Sequence, residues 1–182
     1  ELYRIGSAIS VMRSVRQFIR PKGPDIPYVW GLCEVFPEDR KLEDRLLMSL
    51  ESDGTVKDDA STTLGVLRKK IRSTNSRIIE RIQSYTTGKT RDLLSDPIYT
   101  VRDGRYVIPL KAENRGKIRG IVHDSSATGH TVYLEPEDVL QLGNAQREAE
   151  AAERQEVLRV LADLSTQVGA VAPQTLVGVE AT

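Results

Sequence analysis

Apolar residues return every three or four positions at the start of the chain. Leu2, Ile5, Ile9, Met12, Val15 and Phe18 or Ile19 form one stripe, which predicts an amphipathic helix over residues 1 to about 20, ended by Pro21. Pro21, Lys22, Gly23, Pro24 and Pro27 read as a connector, and Leu42, Leu46, Leu47 and Leu50 then mark a short bracing helix that stops near Asp53-Gly54. A longer stripe of Leu64, Leu67, Ile71, Ile78, Ile82 and Tyr85 follows Ser61, whose hydroxyl suits an N-cap. It predicts a helix of about 25 residues, about 37 Å long at 1.5 Å per residue.

The period then drops from 3.6 to 2. Residues Ile98 to Arg102 and Arg105 to Leu110 flank Asp103-Gly104, the pair that tolerates the positive φ angles of a type I′ turn, so they predict a hairpin. Gly120 to His123 and Thr131 to Leu134, joined by the small polar loop Asp124 to His130, predict a second strand pair. Pro136 suits the first turn of a closing helix, and Val139, Leu142, Ala149, Val157, Leu161, Leu164 and Val168 carry its stripe for about thirty residues. Past Gly169 the period is lost and the sequence reads as a frayed end.

The expected fold class is therefore α+β and mainly α: long amphipathic helices, acting as struts, flank a small antiparallel sheet of about four strands. The expected organisation is a helical part over 1–95, a small β module over 96–135, and a returning helix with its end over 136–182. No repeat of 20 to 50 residues competes with this outline.

Composition narrows the class. A chain of 182 residues holds one ordinary domain, or a helical part with a small second module. With 5% aromatic residues, long helices are a better expectation than a compact β-sandwich. Cys33, the single cysteine, has no partner for an internal disulfide, and no apolar run approaches the roughly 18 to 20 residues of a membrane helix. A soluble, cytoplasmic chain without a membrane partner is the expectation. The opening at Glu1 lacks the basic and then apolar pattern of a signal peptide and reads as a piece of a longer chain.

Net charge is zero, but the charge is segregated. From Lys57 to Arg119 there are 15 Lys and Arg against 7 Asp and Glu, whereas Leu134 to Asp163 holds 3 against 8. Arg68, Lys69, Lys70, Arg72, Arg77 and Arg81 lie on several faces of the long helix, as expected of a solvated surface packed against acidic neighbours. Lys111, Arg115, Lys117 and Arg119 differ, because they fall in a connector with Gly116 and Asn114, where cations can meet phosphates without being tied into a core. With Arg102 and Arg105 on the hairpin, they are the candidate nucleic-acid-binding residues.

Other motifs read as structural. Thr87-Gly88-Lys89-Thr90 resembles the end of a phosphate-binding loop, yet that loop needs a glycine where Gln83 stands and a strand before it. His123, Asp124, Ser125 and Ser126 hold the letters of a hydrolytic triad, but neighbours on a strand point to opposite faces. His123, His130 and Cys33 are too few and too scattered for a metal site. Asp58 and Asp59 suit the positive end of the helix that follows, and the loop Ser125 to Gly129 suits a tight connection more than donation to a phosphate. No catalytic residue and no cofactor is expected.

Thr100-Val-Arg-Asp-Gly-Arg-Tyr-Val-Ile-Pro-Leu-Lys111 and Gly120-Ile-Val-His-Asp-Ser-Ser-Ala-Thr-Gly-His-Thr-Val-Tyr-Leu-Glu-Pro136 closely resemble the MutS-two subfamily of the MutS mismatch-repair family. Gly54-Thr-Val-Lys-Asp-Asp-Ala-Ser61 with Leu64 and Arg68, and Asn144 with the acidic run to Glu156, are similar to the family's flanking stretches. The departures are His130, where a small residue is usual, and Gly143-Asn144, where an Asn pair is usual.

The resemblance implies the lever and clamp region of a homodimeric protein whose ATPase and Smr endonuclease domains, with ATP and Mg, lie outside these residues. It implies as partners branched DNA, in suppression of recombination, or ribosomal RNA, in rescue of collided ribosomes. The alternative is a purely structural coupling or dimerisation module, in which the basic middle pairs with the acidic helix.

Overall fold

The computed structural model describes the backbone of residues 1–180 and the side chains of residues 1–171. It is mainly helical with one four-stranded antiparallel sheet, in the order α1 (Leu2–Ile19), α2 (Pro27–Glu34), α3 (Arg40–Ser49), α4 (Thr62–Thr87), β1 (Thr100–Arg102), β2 (Arg105–Lys111), β3 (Gly120–Ser125), β4 (Thr131–Pro136) and α5 (Glu137–Glu180). Packing groups the chain into two units, Glu1–Gly65 with Arg154–Thr182, and Val66–Glu153.

In the first unit, Ile9 of α1, Leu42 and Leu46 of α3, Leu50, Leu64, and Val160 and Leu164 of α5 share one core. Each such side chain taken out of water contributes about 1.5–3 kcal/mol. Gly6 lets α1 and α3 approach closely, since a Cβ there would sit 2.9 Å from Leu46 Cβ. Buried Glu43 on α3 is gripped by both arms of Arg13, at 2.6 and 2.9 Å. That hydrogen-bonded guanidinium holds its carboxyl below the usual range.

Ser61 caps α4 as its position predicts, accepting from Leu64 N at 3.0 Å, and it donates to Glu156 Oε1 at 2.6 Å. The region after Pro21 holds more structure than its prolines suggest. A 3-10 turn over Arg20–Asp25 leads into α2, which begins at Pro27, where a missing N–H costs nothing. At the other end, the backbone of α5 continues past Gly169 to Glu180, because an established helix needs only propagation, not a renewed apolar stripe.

In the second unit the strand order is β1-β2-β4-β3. Asp103 (φ 49°) and Gly104 (φ 70°) take the left-handed pair that the type I′ turn demands. β4 enters between the two strands that precede it, pairing Ile108 with Leu134 on one side and Val122 with Leu134 on the other. Ile108, Leu110, Val132 and Leu134 pack with Ile78 and Ile82 of α4 and Val139 of α5. At Tyr85 on α4, burial and then the hydrogen bonds to Asp138 push the phenol up to about 12.

Candidate nucleic-acid interface

Residues 112–119 carry the chain from the end of β2 to the start of β3. A 3-10 turn at Ala112–Asn114 opens this connector, and Gly116 turns it with a φ of 93°. The turn is fixed from behind. Buried Asn114 donates to Leu93 O at 3.1 Å and accepts from Lys117 Nζ at 2.8 Å, while Lys111 Nζ reaches Asp92 O at 3.1 Å. Ile118 anchors the far side in the core at 8% exposure.

The six candidate cations thus divide by what holds them. Arg115 and Arg119 are exposed, and their side chains make no hydrogen bond or ion pair among the described residues. Lys111 and Lys117 each donate to a neutral oxygen rather than to a carboxylate. Arg102 lies over the Tyr133 ring, 4.4 Å from its centre, and 3.9 Å from Asp124. Arg105 is tied in further: it donates to Asn144 Oδ1 of α5 at 2.9 Å and lies 3.4 Å from Glu135 Oε1. The structure therefore places Arg115, Lys117 and Arg119 on one connector, with Lys111 at its entry on β2, and keeps Arg102 and Arg105 on the hairpin.

Glu135 explains the separation. Its carboxylate is 1% exposed, so it needs partners inside the fold, and Arg105 and His123 supply them. His123 reaches inward where β3 is irregular between Val122 and Asp124. Strand periodicity alone assigns His123 and Asp124 to opposite faces and gives no sign of this network. Arg147 on α5 completes the contact with the hairpin, donating to Gly104 O at 3.3 Å.

Two helix cations pair with α5 acids, Arg68 with Glu153 at 3.0 Å and Arg81 with Asp138. Lys69, Lys70 and Arg77 are exposed. The loop hydroxyls close their own turn, with Ser126 Oγ accepting from Thr131 N at 3.1 Å. Thr87 and Thr90 donate back to Gln83 O and Tyr85 O, so this segment ends α4 and does not form a phosphate loop. Among the described residues no group of three or more His, Cys, Asp and Glu is placed to hold a metal, and no helix is long and apolar enough to cross a membrane.

One arrangement that the sequence pattern leaves hidden is the approach of the α4 exit to the connector. Leu94 bridges Leu110, and Ser95 N donates to Pro109 O at 2.9 Å, so residues 92–95 run antiparallel beside 109–111. The turn at Lys89 and Arg91 lies next along that path.

No protein-family model matches the chain. It is 36% identical over 174 residues to Endonuclease MutS2 of Listeria monocytogenes serotype 4a (strain HCC23), a match covering 93% of this chain and 22% of that protein. The chain is a MutS2 relative. Endonuclease MutS2 of Lacticaseibacillus casei (strain BL23) is 39% identical over 170 residues, and that of Listeria welshimeri 35% over 172. Each of these matches covers 92% of this chain and 22% of the MutS2 protein. The resemblance read from the strand motifs holds along nearly the whole chain, and the chain spans about a fifth of the length of the MutS2 proteins it matches.

Proposed function

We propose that this chain is the lever and clamp of a MutS2 protein and that its β unit grips the phosphate backbone of a nucleic acid. The observation that carries the reading is the connector itself: Lys111, Arg115, Lys117 and Arg119 follow one another on a segment pinned from behind, and the side chains of two of them have no partner among the described residues. Cations held in that way meet phosphates without first breaking an internal ion pair. The polymer is branched DNA or ribosomal RNA. The grip couples through α4 and α5 to an ATPase in another part of a homodimeric, cytoplasmic protein, which also carries the endonuclease. ATP and Mg belong to that other part, because Thr87-Gly88-Lys89-Thr90 uses its hydroxyls to end α4 and does not fit a nucleotide.

A second reading, a structural coupling module, is favoured by the Arg68–Glu153 and Arg81–Asp138 pairs, in which the basic middle does neutralise the acidic helix. Fluorescence anisotropy of duplex DNA, branched DNA and structured RNA across salt separates the two. The clamp binds at low salt and loses about 0.7–0.9 in log K per log salt for each phosphate neutralised. A purely coupling module shows no binding at low salt.

A further inference from the structure

We infer that the turn leaving α4, through Lys89 and Arg91, is the second half of the phosphate-binding surface, so that two loops distant in sequence close on the same backbone. This rests on the clamp reading above and extends it to a lever residue pair.

The two loops are fastened by four contacts: the Leu94–Leu110 bridge, Ser95 N to Pro109 O at 2.9 Å, Lys111 Nζ to Asp92 O at 3.1 Å and Asn114 Nδ2 to Leu93 O at 3.1 Å. The last two join the turn at 91–93 to the end of β2 and to the turn at 112–114, which sets Arg91 beside the connector that bears Arg115. Lys89, Arg91, Arg115 and Arg119 are all exposed, and their side chains make no hydrogen bond or ion pair among the described residues. Asp92 and Glu113 are the acids in the two segments, against Lys89, Arg91, Lys111, Arg115, Lys117 and Arg119, so the combined surface stays strongly positive.

The chemistry fits a sugar–phosphate backbone. Neither 86–95 nor 111–119 contains an aromatic residue on which a base could stack, so the recognition available here is charge on phosphate. The placement has a mechanical consequence. Lys89 and Arg91 follow the last turn of α4 directly, so a displacement of that helix is transmitted to the bound backbone without passing through the sheet.

The test is the salt dependence of binding to a labelled DNA duplex by the whole chain, its K89A/R91A variant and its R115A/R119A variant, with thermal melts confirming that each folds. If both loops hold phosphates, each double variant lowers the slope of log K against log salt by about 1.8, two contacts at about 0.9 each on duplex DNA. An unchanged slope in K89A/R91A, with the expected fall in R115A/R119A, overturns the two-loop surface and leaves the connector clamp standing. Absence of binding by the unaltered chain at low salt overturns both.

Discussion

The buried carboxylate of Glu135 and the imidazole of His123 lie 2.7 Å apart, joining the middle strand β4 to the edge strand β3 beneath the hairpin. Arg105 supplies the counter-charge, and Asn144 ties Arg105 to α5. The network ties three strands of the sheet, β2, β3 and β4, to the closing helix.

Removing the carboxylate leaves a largely buried guanidinium without its counter-ion. Glu135→Ala is expected to lower the unfolding free energy by about 3 kcal/mol, the scale of a broken buried pair. Urea denaturation reads it; a loss below about 1 kcal/mol would mean that the network is dispensable.

Gly120 opens β3 where no side chain fits, because a Cβ would stand 2.1 Å from Glu135 O. Gly120→Ala should cost about 3 kcal/mol, at the upper end of overpacking, by forcing the backbones of β3 and β4 apart. Loss of amide-exchange protection in both strands is the accompanying signature. Wild-type protection in the variant would show that the close approach is relaxed at no cost.

Ser61 serves two partners, the N–H of Leu64 and the carboxylate of Glu156. Ser61→Ala is expected to cost about 1–2 kcal/mol, a cap with a charged hydrogen bond added. Ser61→Asp keeps the cap but sets two carboxylates together, so it should recover less than half of the loss. Equal stability of Ser61→Asp and the parent protein would place Glu156 elsewhere.

Acid weakens the first unit through two carboxylates. Arg159, then Ser61, hold Glu156 down at about 2 against an ordinary value of 4.5, and Arg13 lowers Glu43. A folded-state pKa below the unfolded one contributes stability that is complete above about 4.5 and is lost as pH falls toward 2. The melting temperature should therefore drop between pH 5 and pH 2, and Glu156→Gln should flatten part of that drop. An identical pH profile in the variant would remove Glu156 from the acid response.

Much of this fold is legible in the sequence because local chemistry sets it. Asp103-Gly104 places its turn to the residue, the stripe from Leu64 to Tyr85 gives α4, and Ser61 marks where that helix starts. α2 is hidden because eight residues that follow Pro21 and Pro24 and begin at Pro27 carry too little period to outweigh the breakers. The division among the six cations is hidden for a different reason. Arg105 and Arg115 look alike along the chain, and only the pairing of β2 with β4 sets Arg105 beside Glu135 and leaves Arg115 in solvent. The approach of Arg91 to the connector likewise depends on the Leu94–Leu110 bridge, a contact no local pattern encodes.

Phosphate contact by the connector is tested most directly by replacing Lys111, Arg115, Lys117 and Arg119 together with Glu and measuring branched-DNA and structured-RNA anisotropy at low salt. The clamp predicts at least a hundredfold loss of affinity for the polymer it grips, with helix content unchanged by circular dichroism. Binding of both polymers at parental strength by the folded variant would contradict it.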